Sequence, residues 1–112
     1  MNRKESQIIA VDFDGTLCED AYPDMGIPNL YLIQILKKMR AQGKQLILWT
    51  CRSGKELEAA VNWCRQFELE FDAVNRNVPE NIEKYGTDTR KVYADIYLDD
   101  RARMPKQYEN ME

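Results

Sequence analysis

The 112-residue chain has no histidine and three cysteines, Cys18, Cys51 and Cys64. The absence of histidine excludes Ser-His-Asp and Cys-His catalysis. An odd number of cysteines at irregular spacing is a poor disulfide framework. Because no Cys/His cluster is present, we expect neither a zinc site nor an iron–sulfur site. Acid–base chemistry in this protein must therefore come from carboxylates, lysines, tyrosines or thiols.

The chain also lacks long apolar runs and a large excess of positive charge. No run approaches the roughly 20 apolar residues of a membrane span, and the first residues, MNRKESQ, do not have the pattern of a signal peptide. The formal net charge of −3 argues against a broad basic surface for nucleic acid or anionic lipid. With 44% hydrophobic and 31% charged residues, the composition is that of a globular chain. We expect one cytoplasmic domain without a membrane partner, with a core over about residues 7–103 and a loose tail over 104–112.

Short apolar runs alternate with helical patterns along the chain. Four runs predict strands: Gln7–Val11, Gln45–Trp49, Phe71–Val74 and Val92–Leu98. Three stretches predict helices: Asn29–Gln42, Ser53 to about Gln66, and Pro79–Tyr85. The order β-α-β-α-β-(α)-β predicts an α/β fold with a mainly parallel sheet. We expect a three-layer, Rossmann-like sandwich in which the predicted strands lie in the order 3-2-1-4.

Residues of characteristic type mark the ends of the predicted helices. Asn29 can cap the first helix, and Gly43 can supply the left-handed position that follows it. Ser53 and Glu56 match a capping box at the start of the second helix. Pro79 suits the first position of the third helix.

Polar residues follow each predicted strand, at the end of a parallel sheet where ligands bind. These segments are Asp12–Asp14, Thr50–Arg52, Asn75–Asn77 and Asp99–Arg101. The carboxylates of Asp12, Asp14, Asp99 and Asp100 would repel one another by several kcal/mol at an intermediate dielectric. A divalent cation would relieve this repulsion, and hard carboxylate oxygens favour Mg²⁺.

With these residues in these positions, the sequence resembles the haloacid dehalogenase superfamily of phosphotransferases. The first signature is DFDGTL at residues 12–17, the second is Thr50, the third is Lys91, and the fourth is the pair Asp99 and Asp100. The resemblance covers about residues 7–103. Three segments are also similar to a subset of short members: Tyr22–Asn29, Leu48–Gly54 and Ala94–Arg101.

The resemblance implies catalytic roles for four residues. Asp12 would attack phosphorus and carry an aspartyl phosphate, which water then hydrolyses. Asp14 would act as the general acid–base. Thr50 would donate a hydrogen bond to a phosphoryl oxygen, and Lys91 would neutralise charge on the nucleophile and the phosphoryl group. Lys84 is the alternative to Lys91 for this last role.

The resemblance also implies a metal site. Asp12 and Asp99 would bind Mg²⁺ directly, and the backbone carbonyl of Asp14 would bind it too. Asp100 would act through a bound water or by orienting other groups. Gly15 would permit the tight turn after Asp14.

Three further residues are candidates for binding substrate: Thr16, Arg52 and Asn75. Thr16 would also form local hydrogen bonds that help to position Asp14. Arg52 suits a substrate anion, although a surface salt bridge is an equal alternative. Asn75 could instead be a turn residue.

The connections in which larger members of the superfamily carry a cap domain are short in this sequence, at residues 17–28 and 75–90. We therefore predict an open site without a cap domain, to which a neighbouring subunit of a homo-oligomer could supply a lid. The predicted function is a Mg²⁺-dependent phosphatase that acts on a phosphomonoester, either a small molecule or a macromolecule. The alternatives are a receiver-like phosphoacceptor domain and a catalytically weak binding protein. A receiver domain would carry its phosphoacceptor after the third strand, where this sequence has Val-Asn-Arg at residues 74–76.

Overall fold

A computed structural model describes residues 7–104 and Lys106. The strands are β1 (Ile8–Val11), β2 (Cys18–Ala21), β3 (Asp24–Pro28), β4 (Gln45–Leu48), β5 (Ala73–Val74) and β6 (Ile96–Leu98). The helices are α1 (Leu30–Ala41), α2 (Gly54–Gln66) and α3 (Pro79–Tyr85). Within the described part of the chain, no helix is both long enough and apolar enough to cross a membrane. The tail predicted over 104–112 lies almost entirely outside the described residues.

Four strands form a parallel sheet in the order β5-β4-β1-β6. The α/β class, the mainly parallel sheet and the predicted strand order are thereby confirmed. The strands also end at one level, because Val11 pairs with both Leu48 and Leu98, and Leu48 pairs with Val74. The four segments that follow these strands therefore leave the sheet side by side.

The two faces of the sheet are covered differently. On one face, Ile9, Val11, Leu46 and Leu48 pack with residues of both long helices: Ile33 and Leu36 of α1, and Ala60 and Cys64 of α2. On the other face, Ile8, Ala10 and Ile47 pack with Val78, Val92 and Ala94. Both long helices lie on one face because the chain moves in the same direction from β1 to β4 and from β4 to β5, and parallel crossovers are right-handed. The chain then crosses back to β6, which brings the segment around α3 to the opposite face.

A hairpin that the sequence analysis did not predict lies between β1 and α1. Strands β2 and β3 pair antiparallel, with Ala21 opposite Asp24 and Cys18 opposite Pro28. Most of their residues are exposed or half-buried. The sequence of β2, Cys-Glu-Asp-Ala, does not alternate apolar with polar residues, so it gave no pattern from which a strand could be predicted.

The last strand is shorter than predicted, and the prediction of a strand over all of Val92–Leu98 is wrong. Only Ile96–Leu98 pairs with β1. Val92 and Ala94 are buried as the alternation indicated, but side chains satisfy the backbone of this segment. The Tyr93 N–H donates to Asn77 Oδ1 over 2.7 Å, and the Ala94 N–H donates to the Tyr97 hydroxyl over 3.2 Å. The segment thus packs against the sheet without extending it.

The helix ends agree with the sequence in three of the four predictions, and one of these is Pro79, which is the first residue of α3. Asn29 Oδ1 accepts a hydrogen bond of 3.1 Å from the Leu32 N–H, which confirms the N-cap of α1. Gly43 follows α1 with a φ of +96°, the left-handed conformation that was predicted. The capping box of α2 is wrong, because the Ser53 side chain makes no capping hydrogen bond.

Candidate functional site

A cleft of about 670 Å³ opens at the carboxyl ends of the parallel strands. The residues that line it are Asp12, Asp14, Asp20, Tyr22, Trp49, Thr50, Cys51, Arg52, Asp99 and Arg101. They come from the segments after β1, β4 and β6 and from the β2–β3 hairpin. Backbone hydrogen bonds hold these segments level with the sheet, since the Asp12 N–H donates to Leu98 O and the Trp49 N–H donates to Val11 O, each over 2.9 Å.

Three carboxylates converge beside this cleft. Asp12, Asp99 and Asp100 each place one carboxylate oxygen within 4.8 Å of the others. Burial is the main cause that raises the pKa of Asp12 from 3.8 to about 6, and the charges of Asp99, Asp100 and Asp14 raise it further against a hydrogen bond from the Phe13 backbone. A cluster of hard, anionic oxygens is the donor set that suits a divalent cation such as Mg²⁺. These three residues could therefore hold one.

Gly15 and Thr16 hold the loop after β1 against the loop after β6. Gly15 has a φ of +83°, and a Cβ at this position would collide with the carboxylate of Asp100. The Asp100 N–H donates to Thr16 Oγ1 over 3.2 Å. Thr16, predicted to bind substrate, is not among the residues that line the cleft. Its hydroxyl instead positions Asp100.

The carboxylate of Asp14 points to a different partner from that of Asp12. Its two oxygens accept hydrogen bonds of 2.8 Å from Arg52 Nη2 and 2.9 Å from Arg52 Nε. Asp14 is accordingly not part of the carboxylate cluster within 4.8 Å. Asp14 thus lines the cleft as one half of an ion pair.

Arg52 is buried, and all five of its guanidinium N–H groups have acceptors. Besides Asp14, it donates to the backbone oxygens of Pro23 (3.0 Å), Asp24 (2.8 Å) and Glu56 (3.2 Å). The guanidinium carbon also lies 5.0 Å from the centroid of the Tyr22 ring. With every donor occupied, Arg52 has no N–H left for the substrate anion that the sequence suggested. It joins the hairpin and the first turn of α2 to Asp14.

The segment from Thr50 to Arg52 is held from behind by Asn75. The Asn75 side chain accepts a hydrogen bond of 2.8 Å from the Thr50 N–H and donates one of 3.3 Å to Arg52 O. Asn75 has a φ of +54° and is not among the residues that line the cleft. Thr50 lines the cleft, whereas Asn75, predicted to bind substrate, positions the loop that carries Thr50.

Neither of the two candidate lysines lies at the cleft. Lys91 Nζ sits 5.5 Å from the centroid of the Tyr97 ring, five residues before β6 begins. Lys84 lines a separate hollow with Ile8 and Gln45, which begin β1 and β4 at the opposite end of the sheet. Lys91 directly precedes the strand predicted over Val92–Leu98, but β6 begins only at Ile96, because residues 92–94 do not extend the sheet.

Four further residues line the cleft that were not predicted as site residues from the sequence: Arg101, Tyr22, Trp49 and Asp20. Arg101 could have been predicted from the sequence, since it directly follows the two aspartates at the end of the last predicted strand. Tyr22 begins a segment that is similar to the short members of the superfamily, but nothing in the sequence placed Tyr22 or Asp20 at the cleft, because both lie on the hairpin that was not predicted. Trp49 was predicted to be the last residue of a strand. In the structure, β4 ends at Leu48, and Trp49 is the first residue after it.

A solved structure is similar to this chain over nearly its whole length. It is described as the structure of a conserved protein coded by a locus from Bacteroides thetaiotaomicron, with 36% sequence identity and a TM-score of 0.78. The similarity covers 96% of this chain and 93% of that one. The chain therefore belongs to the same family as that conserved protein, whose description names no activity. A scan against protein-family models and a search of curated proteins found no match.

Proposed function

We propose that this protein is a Mg²⁺-dependent phosphatase of the haloacid dehalogenase type, with Rossmann-like layering and no cap domain. The observation that carries the proposal is the convergence of Asp12, Asp99 and Asp100 within 4.8 Å, beside a cleft that Thr50 also lines. These residues occupy the positions of three of the four signatures of that superfamily. When bound by Asp12, Asp99 and Asp100, Mg²⁺ would offset the negative charge of the carboxylates and of the phosphoryl oxygens.

In the first step, a carboxylate oxygen of Asp12 attacks phosphorus, and the bond from phosphorus to the leaving oxygen breaks. The leaving oxygen takes a proton from the carboxyl group of Asp14. In the second step, Asp14 takes a proton from water, whose oxygen attacks phosphorus and displaces Asp12. The products are inorganic phosphate and the dephosphorylated alcohol, and both aspartates return to their starting state.

The ion pair with Arg52 constrains this role of Asp14. Both Asp14 oxygens accept hydrogen bonds from Arg52, so one oxygen must leave the guanidinium before it can hold and deliver a proton. Meanwhile the Thr50 hydroxyl, which accepts from the Arg52 backbone N–H over 3.1 Å, keeps its own proton available for a phosphoryl oxygen.

The receiver-domain alternative predicts a carboxylate at the end of the third strand of the sheet. The residue there is Asn75, whose backbone N–H continues the ladder to Leu48 O over 2.8 Å. An amide cannot accept a phosphoryl group as a carboxylate does. This position therefore favours the phosphatase.

A panel of phosphomonoesters tests the proposal, assayed with Mg²⁺ and with excess EDTA. We expect Mg²⁺-dependent phosphate release, no turnover by Asp12→Asn, and unchanged turnover by Glu58→Gln, which removes an exposed carboxylate on α2. Equal activity in EDTA would remove the metal from the proposal. Lasting phosphorylation by acetyl phosphate without release of phosphate would favour the receiver domain.

A further inference from the structure

The cleft is strongly acidic, and its basic groups are few. Asp12, Asp14, Asp20 and Asp99 all line it. A phosphomonoester brings its own negative charge into this cleft, and the transition state of phosphoryl transfer must be balanced by cationic groups aimed at the phosphoryl oxygens. One divalent cation bound by three carboxylates would offset only part of this negative charge, so a cationic side chain of the protein would help to stabilise the phosphoryl group.

Among the described residues, Arg52 and Arg101 are the two basic residues that line the cleft. Arg52 is buried, and its five N–H groups already donate to Asp14 and to three backbone oxygens. The lysines at 84 and 91 lie away from the cleft. Of these four cations, Arg101 alone combines a place on the cleft with an exposed position.

A backbone hydrogen bond places Arg101 next to the carboxylate cluster. The Arg101 N–H donates to Asp99 Oδ1 over 2.9 Å. The Arg101 backbone therefore lies beside one of the carboxylates that would hold the cation. With the other described residues, its guanidinium forms no salt bridge. Its donors are therefore not committed within the described part of the chain.

We propose that Arg101 binds the phosphoryl oxygens of the substrate. The inference rests on the proposed phosphatase function and deepens it, because it assigns the charge-neutralising role to a residue outside the lysine motif. The planar guanidinium presents two parallel N–H groups to two phosphoryl oxygens, a geometry that a lysine ammonium cannot reproduce. Arg101 would hold the oxygens that do not take part in bond making while Asp12 attacks.

Two variants of Arg101 and one control test the proposal. Arg101→Met removes the charge, and Arg101→Lys keeps the charge without the paired donors. The control is Arg76→Met, which removes another exposed arginine just beyond the end of β5 that does not line the cleft. We expect kcat/KM of Arg101→Met to fall by about 100-fold or more, that of Arg101→Lys to fall less, and that of Arg76→Met to stay within about twofold of wild type.

A second readout is independent of turnover. Calorimetry with inorganic phosphate and Mg²⁺-loaded protein should show binding at least about tenfold weaker for Arg101→Met than for wild type, with Mg²⁺ affinity and melting temperature unchanged. Unchanged phosphate binding together with unchanged kcat/KM would overturn the inference. So would a loss of Mg²⁺ affinity equal to the loss of phosphate affinity, since that pattern belongs to a residue that only positions Asp99.

The outcomes also separate this inference from the function on which it rests. If wild type releases phosphate and Arg101→Met does so equally well, the role of Arg101 is wrong and the phosphatase stands. If wild type releases no phosphate from any ester, the phosphatase is wrong, and the calorimetric comparison still decides whether Arg101 binds a phosphoryl group. If Arg101→Met does not fold, Arg101→Lys decides, and phosphate binding equal to wild type would then overturn the paired-donor geometry.

Discussion

Arg52 and Asp14 form a two-point contact in which Nη2 and Nε of the arginine lie 2.8 Å and 2.9 Å from the two carboxylate oxygens. The Arg52 side chain is 1% exposed and that of Asp14 is 20% exposed. The same guanidinium binds backbone oxygens of the β2–β3 hairpin and of α2. One side chain thus connects three segments that shape the cleft.

We predict that Arg52→Met destabilises the protein by about 3–5 kcal/mol, because removing one partner leaves a carboxylate and three backbone oxygens without their donors. Equilibrium unfolding in urea measures this loss. The control is Arg65→Met, which breaks an exposed contact of 3.6 Å between Arg65 and Glu70 and should change stability by less than about 1 kcal/mol. Equal effects of the two substitutions would show that the buried contact does not hold the hairpin in place.

A second prediction concerns Gly15. Gly15→Ala introduces strain at a φ of +83° and also a collision of the new Cβ with the Asp100 carboxylate. Gly43→Ala is the matched control, because Gly43 has a φ of +96° and no atom within 4 Å of a Cβ placed there. Backbone strain alone should reduce the stability of Gly43→Ala by about 1–3 kcal/mol.

Gly15→Ala should lose more stability than this, and it should also bind Mg²⁺ more weakly because Asp100 has to move. Urea unfolding and titration with Mg²⁺ measure the two effects. If the two alanine variants lose the same stability and Gly15→Ala keeps its Mg²⁺ affinity, the close approach of Gly15 to Asp100 does not matter for the site.

The sequence predicted best those parts of the fold that depend on local pattern. The apolar runs of β1 and β4, the Asn29 cap and the Gly43 turn each follow from a few adjacent residues. The β2–β3 hairpin could not be predicted in this way, because its strands are mostly exposed and have no apolar alternation. The prediction of a strand over residues 92–94 was wrong for the opposite reason. They alternate like a strand, yet the Asn77 side chain binds their backbone from 16 positions away.

The same distinction holds for the site. Asp12, Asp99 and Asp100 could be predicted because each lies one or two residues after a strand, and parallel strands end at a common edge. The roles of Arg52 and the lysines could not be predicted. Whether the Arg52 guanidinium has an N–H group free for substrate depends on contacts with the hairpin. One of these is the backbone oxygen of Asp24, which is 28 positions away in the sequence. The position of Lys91 depends on where β6 begins.

A third prediction follows from the pKa of Asp12, which is raised from 3.8 to about 6 in the folded protein. In the unfolded chain this carboxyl ionises at the lower value, so folding becomes less favourable as the pH rises from 3.8 to about 6, and the full penalty is present above that range. A cation bound to Asp12 would offset this penalty, because it favours the ionised carboxylate. We therefore expect Mg²⁺ to raise the melting temperature clearly at about pH 7.5 and much less at about pH 5.

Asp12→Asn isolates the contribution of this carboxylate. Without metal, the variant should be more stable than wild type at about pH 7.5, and this difference should shrink towards about pH 4, where Asp12 of wild type is protonated in the fold. Thermal unfolding across this pH range measures both effects, with Glu58→Gln as the control for loss of an exposed charge. A response to Mg²⁺ that does not depend on pH would contradict the carboxylate cluster as its binding site.

The final prediction separates Asp14 from Asp12, which are two residues apart and contact different groups. In the proposed mechanism, Asp14→Asn leaves the attacking carboxylate of Asp12 in place but removes the group that would transfer protons. It also leaves the buried Arg52 without its counter-charge, so the variant should be less stable than wild type. Activity must therefore be compared at a temperature where circular dichroism shows the variant to be folded.

Asp14→Asn should lower turnover of an alkyl phosphate by about 10²–10⁴-fold, the usual contribution of general acid–base catalysis. An alkoxide is strongly basic and needs a proton as it leaves, whereas p-nitrophenolate departs with little help. The rate at which the phosphoenzyme forms should therefore fall much less for p-nitrophenyl phosphate than for the alkyl phosphate. Single-turnover rates with the two esters measure this ratio, and a difference in folding cancels because one preparation supplies both rates. Since Asp14 also activates water in the proposed mechanism, we expect mass spectrometry to find a phosphoryl group retained on Asp12. Equal losses with both esters and no retained phosphoryl group would leave Asp14 only the task of holding Arg52.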